Sequence, residues 1–283
     1  MAMNTTLVLG GTGTTGRRIA RRLREAGHPV RTASRTGGDV RCALGEPSTW
    51  AAALDGVAGL YVLEPDLRTG LDPSVRIPGL VEAAAAAGVR RVVLLSAHGV
   101  GEADDGRPLK GAEDAVRASG MDWTILRPGW FAQNFSETFW RPAVLTGTLA
   151  LPTGDGRTAF VDADDIAEVA AAALTDVRHA GRIYQLTGPR SLGFAEAVEI
   201  IGKATGRTVR HVDVTAEAFV EQQVAHGVAP DVAARLCGLL VAVRDGLGSG
   251  VSDGVREALG RPARGFEQFV AGAVGAWSES DLP

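Results

Sequence analysis

The chain is poor in lysine, tyrosine, cysteine and histidine, and each shortage narrows what it can be. Only Lys110 and Lys203 are lysines among 29 basic residues, so arginine carries nearly all the positive charge. Two cysteines, Cys42 and Cys237, make neither a disulfide framework nor a Cys-x-x-Cys redox pair and are read as small core residues. The five histidines show no metal-ligand spacing. Net charge is −4, without the basic excess of a nucleic-acid surface. No apolar run approaches the ~20 residues needed to cross a bilayer, and residues 1–4 lack the charged start and apolar core of a secretory signal. The expectation is a cytoplasmic protein with neither nucleic acid nor membrane as partner. With 283 residues, 45% of them hydrophobic, the chain can build one large or two small domains around a sizeable core.

What is present begins almost at the N-terminus. Residues 5–16 read TTLVLGGTGTTG. A short apolar run, Thr5 to Leu9, is followed by Gly10, Gly11, Gly13 and Gly16, and then by a helical pattern through Arg17, Ile19, Ala20 and Leu23. Strand, glycine turn and helix together make the phosphate-binding corner of a dinucleotide fold. Gly10 permits the tight turn, Gly13 lets the backbone approach a pyrophosphate, and Gly16 lets the helix pack on the strand. The anion then sits on the N–H groups of Thr12, Gly13, Thr14, Thr15 and Gly16 at the positive end of the helix.

Strand-like and helical segments alternate through the first half. Strands are expected at Leu7–Leu9, Val30–Ser34, Val40–Leu44, Gly59–Leu63, Arg91–Ser96 and Trp123–Leu126. Helices are expected at Thr14–Gly27, Ser48–Leu54, Val75–Ala87 and Pro108–Ser119. This βαβ alternation implies an α/β, Rossmann-type, doubly wound parallel sheet ordered 3-2-1-4-5-6. After Arg127-Pro128-Gly129 the rhythm changes. Short strands at Leu149–Pro152 and Thr158–Val161, a helix at Asp162–Leu174 and a strand at Arg182–Thr187 come first. Helices at Phe194–Thr205, Ala216–His226, Pro230–Asp245 and Phe266–Trp277 follow, and Gly246–Asp253 reads as a polar loop. The expected division is a dinucleotide-binding domain over 1–129, continued by 155–187. A smaller, interleaved α+β lobe of 130–154 and 188–283 binds substrate.

Cofactor choice is read at the end of the second strand. An acid there holds the ribose 2′-hydroxyl of NAD and repels a 2′-phosphate. This strand ends Thr32-Ala33-Ser34-Arg35-Thr36, with no acid before Asp39. Arg35 offers a fork of donors to a phosphate, and Ser34 adds a hydroxyl; NADP(H) is therefore the expected cofactor. The nicotinamide end belongs at the carboxyl ends of strands four and five, beside Leu63, Ser96 and His98. An imidazole at His98 can donate to a substrate carbonyl. Trp130 and Phe131 offer an apolar wall for a flat substrate, and Asn134 a polar anchor. Asp162, Asp164 and Asp165 resemble a metal cluster but precede a helix, where carboxylates cap the N-terminus and favour its dipole.

Several blocks together resemble the NmrA-like family of atypical short-chain dehydrogenase/reductases. They are VLGGTGTTGRRIARRL, VVLLSAHG, KGAED with Lys110 and Glu113, SGMDWTILRPGWFAQNF and FVDADDIAEVAAAAL. The resemblance spans essentially the whole chain. It implies either an NAD(P)H-dependent reductase of the quinone-reductase or isoflavone-reductase kind, or a catalytically silent NADP-binding regulator that acts through a protein partner. Ordinary short-chain dehydrogenases use a serine after strand five and a Tyr-x-x-x-Lys motif. Ser96 matches the serine and Lys110 the lysine, but Gly106 stands where the tyrosine belongs. The family's aspartate after strand three is Ala43 here. In a chain that otherwise uses arginine, a retained Lys110 points to a ribose anchor or, as in isoflavone-reductase-like relatives, a proton donor; its plainer role is a surface pair with Asp114. The expected function is NADPH-dependent reduction of a conjugated or quinone-like small molecule, apolar or aromatic, with Lys110, Ser96 and His98 as catalytic candidates. Biosynthetic tailoring is the expected setting and a homodimer the expected assembly.

Overall fold

Period-two alternation builds the central sheet. The computed structural model describes residues 5–64, 73–100 and 109–278. Strands β1 (Thr5–Leu9), β2 (Val30–Ser34), β3 (Val40–Arg41), β4 (Val57–Leu63), β5 (Arg91–Leu95), β6 (Asp122–Pro128) and β9 (Arg182–Leu186) are all parallel, in the order β3-β2-β1-β4-β5-β6-β9. The expected order 3-2-1-4-5-6 is thus extended by one strand at the β6 edge. Successive side chains of a strand point to opposite faces, and here both faces are buried. Leu7, Leu9, Leu60, Val62, Val92, Leu94 and Ile125 enter one core. Val8, Tyr61, Val93, Leu95 and Leu126 enter the other.

Helices α2 (Trp50–Leu54), α3 (Pro73–Ala86) and α4 (Lys110–Ala118) cover the first face. Helices α1 (Thr14–Glu25), α6 (Ala163–Thr175) and α10 (Gly254–Leu259) cover the second. Strand order reverses between β2-β1 and β4-β5, which opens a crevice at the carboxyl ends of the strands.

A third core forms the smaller lobe around Phe135, Trp140, Phe160, Phe194, Phe266 and Trp277. Its elements are α5 (Arg141–Thr146), β7 (Thr148–Leu151), β8 (Arg157–Thr158), β10 (Leu192–Gly193), α7 (Phe194–Thr205), β11 (Arg210–Asp213), α8 (Ala216–Ala225), α9 (Pro230–Arg244) and α11 (Phe266–Ala273). β7 pairs with β11 in parallel and β8 with β10 antiparallel. The structure departs from the sequence expectation at several places: β3 stops at Arg41, and α5, β11 and α10 are additional elements. β8 stops at Thr158 and pairs inside the smaller lobe, while Phe131 and Val161 share only an isolated parallel bridge. Helix α10, unforeseen and far along the chain, returns to the sheet because a glycine starts it: a Cβ at Gly254 would overlap Gln185 O. Cys42 and Cys237 are buried, and burial pushes the Cys42 thiol up to about 11.

Candidate active site

The glycine turn leaves a bare helix N-terminus at the crevice. Gly13 is the N-cap of α1, with φ −84° and ψ −179°, and it has no side chain to cap with. The first intrahelical bond is donated by Arg17 N to Gly13 O, 3.1 Å. Ahead of it no acid stands in the first turn, so the N–H groups of Thr14, Thr15 and Gly16 have no helical acceptor. Close packing accounts for three of the glycines. Gly10 has φ +67° with Leu63 Cδ2 2.9 Å from an added Cβ, and a Cβ on Gly11 would lie 2.5 Å from Thr32 Cβ. A Cβ on Gly16 would overlap Gly10 O. Gly13 is looser, its nearest neighbour being Gly10 O at 3.2 Å. Gly13 and Thr12 are exposed. The cradle therefore fits a pyrophosphate, which Thr12, Thr14, Thr15 and Gly16 would hold through backbone N–H groups; the expected Gly13 N–H is not available, because it donates to Gly10 O at 2.8 Å and closes the turn.

Thr15 has only its backbone N–H to offer an anion. It is buried, and its Oγ1 accepts from Tyr61 Oη at 2.9 Å. Its hydroxyl ties α1 to β4, leaving only the N–H for an anion. Burial raises the Tyr61 pKa further above its ordinary value, so this tyrosine stays protonated and structural.

Arg35 is exposed beyond β2. The Ser34 hydroxyl closes the turn beneath it, donating to Gly37 O at 2.6 Å and accepting from Gly37 N at 2.8 Å. Its proton is therefore spent on that turn. Asp39, the first acid after the strand, folds back along it. Its Oδ2 accepts from Thr32 N at 2.8 Å, Thr32 Oγ1 at 2.9 Å and Arg24 Nη2 at 3.0 Å. Those hydrogen bonds hold the Asp39 carboxyl below the usual aspartate range. Arg24 lies in the last turn of α1, so Asp39 turns toward the end of α1 opposite the glycine cradle.

At the carboxyl end of β5, Ser96 is buried and donates through Oγ to Glu113 Oε1 at 2.6 Å. Glu113 on α4 is fully buried. Arg127 Nε donates to the same oxygen at 2.9 Å, and Arg127 Nη2 and Arg117 Nη2 reach Oε2 at 2.6 and 2.7 Å. Burial pushes the Glu113 carboxyl up, but these donors outweigh it and hold the pKa below the ordinary value. The sequence reading missed Glu113 and Arg127 as partners. The available signal was an arginine inside the apolar strand run Ile125-Leu126-Arg127-Pro128, since a buried charge requires a counter-charge.

The other candidates are spread around this centre. Lys110 opens α4 and is paired with Asp114. His98 is exposed, and a Cβ on Gly248 would lie 3.9 Å from its Cδ2, so the Gly246–Asp253 loop reaches the end of β5. Trp130 is half-buried, its ring 5.4 Å from that of Trp140. Phe131 is half-buried against the sheet core. Asn134 is buried, and its Oδ1 accepts from Thr138 Oγ1 at 3.0 Å. Phe135 and Trp140 belong to the lobe core, while Phe139 is half-exposed. Asp162 caps α6, accepting from Asp164 N at 2.8 Å, and Asp165 is paired with Arg261 and Arg264.

Residues 10–177 match the family model described as NAD(P)H-binding. The chain belongs to this NAD(P)H-binding family. It is 36% identical to the uncharacterized oxidoreductase YesF of Bacillus subtilis, over 98% of this chain and 98% of that one. It is 35% identical to the NAD(P)H azoreductase of Xenophilus azovorans, over 95% and 99%. In fold it is similar to the triphenylmethane reductase of Citrobacter sp. complexed with NADP(H), with a TM-score of 0.79 and 22% identity over 95% and 99% of the two chains. This NAD(P)H-binding protein is an oxidoreductase. Among the described residues no helix is long and apolar enough to cross a membrane.

Proposed function

We propose that this oxidoreductase uses NADPH to reduce a flat, conjugated, apolar small molecule of the quinone, enone or azo type. One observation supports the cofactor most: the first acid after β2, Asp39, is turned back onto Thr32 and Arg24. A 2′-phosphate beside Arg35 thus meets a guanidinium, with the Asp39 carboxylate directed elsewhere. The names of the azoreductase and the triphenylmethane reductase point to extended aromatic substrates in relatives. Trp130 and Phe131 suit such a substrate as a half-buried wall.

NADPH supplies hydride when bound. The residues of the chain bind it, orient it and handle the proton. The N–H groups of α1 fix the pyrophosphate, Leu63 backs the turn at Gly10, and Lys110 anchors the nicotinamide ribose or passes a proton. His98, exposed past β5, is the second proton source, and water the third. A conjugated acceptor spreads the developing charge over its π-system, so it depends less on a strong acid than a simple ketone does. That suits a chain with Gly106 at the position of the missing tyrosine. The test is NADPH oxidation at 340 nm with a benzoquinone, an enone and an azo dye as acceptors. Turnover with at least one is expected. Tight NADPH binding with no turnover of any would leave the regulator role instead.

A further inference from the structure

The buried carboxylate behind Ser96 decides which way that serine can hydrogen-bond. A hydroxyl has one proton and two lone pairs. The Ser96 proton goes to Glu113 Oε1 at 2.6 Å. Glu113 cannot return one, because its two oxygens face three guanidinium donors: Arg127 Nε at 2.9 Å, Arg127 Nη2 at 2.6 Å and Arg117 Nη2 at 2.7 Å. Two arginines around one carboxylate keep it ionised, and an ionised carboxylate only accepts. The centre is rigid, since Glu113 is 0% exposed and Ser96 N is fixed to Leu126 O at 2.8 Å.

We infer that Glu113 is a positioning residue that locks Ser96 Oγ as a hydrogen-bond acceptor, and that Ser96 receives the carboxamide N–H of the nicotinamide instead of protonating substrate. The inference deepens the proposed function and rests on the nicotinamide end lying at the carboxyl edge of β5. It separates this chain from enzymes in which the serine at this place works beside an acidic tyrosine. Substrate protonation is then left to His98, Lys110 or water.

The test is a binding comparison that needs no turnover. NADP+ and its 3-acetylpyridine analogue have nearly the same shape, but the analogue's acetyl group has no N–H to give. Both are titrated against the full chain by tryptophan fluorescence. The parent should bind NADP+ about threefold to tenfold tighter than the analogue, the scale of one neutral hydrogen bond. Ser96→Ala should bring the ratio to about one, and Ser96→Thr, which keeps the hydroxyl, should restore it. Glu113→Gln should also erase the preference, because its amide N–H then faces Ser96 and frees the hydroxyl proton to point outward. Should that variant fail to fold, the two Ser96 variants decide alone, since they leave the three arginine bonds in place. An unchanged ratio in Ser96→Ala overturns the inference. So does a hundredfold loss of kcat in Ser96→Ala with the ratio intact, which marks a proton donor. Failure of the parent to bind either dinucleotide would instead overturn the cofactor assignment itself.

Discussion

The same type of interaction, arginine with an anion, is proposed at Arg35 and present at Glu113. Arg35 is exposed and beyond the strand, where a guanidinium fork can meet a 2′-phosphate. A hydrogen bond to a charged group is worth roughly 1.5–3 kcal/mol, so Arg35→Ala should cost NADPH affinity about tenfold or more while NADH affinity stays put. Equal affinities for the two cofactors in the parent protein, by the same titration, would refute this. Glu113 is buried and holds two guanidinium groups together. Removing one partner of a buried pair leaves an uncompensated charge and costs roughly 3–5 kcal/mol, so Glu113→Ala should lose stability on that scale in urea unfolding. The pH dependence has a definite sign. The Glu113 pKa is lowered on folding from an ordinary value of 4.5, so the unfolded chain takes up its proton first as pH falls. The stabilisation is complete well above pH 4.5 and fades below it. The urea midpoints of parent and Glu113→Gln should therefore converge as the pH is lowered through that range.

Helix α1 is the element on which fold and cofactor binding can be pulled apart. Its N-cap backbone, φ −84° and ψ −179°, is open to any residue, and the nearest atom to a Cβ at Gly13 is Gly10 O at 3.2 Å. Aspartate is a good N-cap and suits the positive end of the dipole. Gly13→Asp should therefore keep the thermal midpoint within a few degrees of the parent while abolishing NADPH binding, because a carboxylate then occupies the anion site. Gly16→Ala should unfold the corner instead, since its Cβ overlaps Gly10 O. Midpoints by circular dichroism, set beside cofactor titrations, distinguish the two. The elements legible in the sequence were those with strong periodicity or a clear local start and stop, among them β1, α1, β2, β4, β5, β6, β9, α3, α4, α6, α7, α8, α9 and α11. β11 went unseen because RHVD is mostly exposed and is a strand only by pairing with β7. α5 and α10, six residues each, are too short to show an apolar face. In the site, the glycine cradle was legible because close approach needs glycine. The Thr15–Tyr61 and Ser96–Glu113 bonds were not, because which hydroxyl finds which partner is set by packing between distant segments.

Across the whole molecule, α1 joins the cofactor cradle to the substrate wall. Its second turn carries Arg17 and Arg18, both paired with Glu137, Arg18 at 2.6 Å. Glu137 lies two residues after the turn that carries Asn134 and Phe135. Arg18, Arg21 and Arg22 of the same helix also face Asp164 at the start of α6, and a cavity of about 400 Å³ opens along this seam, lined in part by Arg18, Glu137, Asp164 and Gln268. The helix proposed to receive the pyrophosphate is thereby clamped to the segment proposed to hold substrate. Each partly exposed ion pair contributes only about 0–1 kcal/mol, so the clamp matters more for geometry than for stability. Glu137→Gln keeps the shape and removes the charge. It should lower the thermal midpoint by only a few degrees and leave NADPH affinity within about twofold, because the cradle at Gly13 to Gly16 is untouched. The KM for the acceptor should rise as the Trp130–Asn134 wall loses its tether, and added salt should reproduce part of that rise in the parent by screening the same exposed charges. An unchanged KM in Glu137→Gln, with no salt response in the parent, would show that the wall is held by its aromatic core alone.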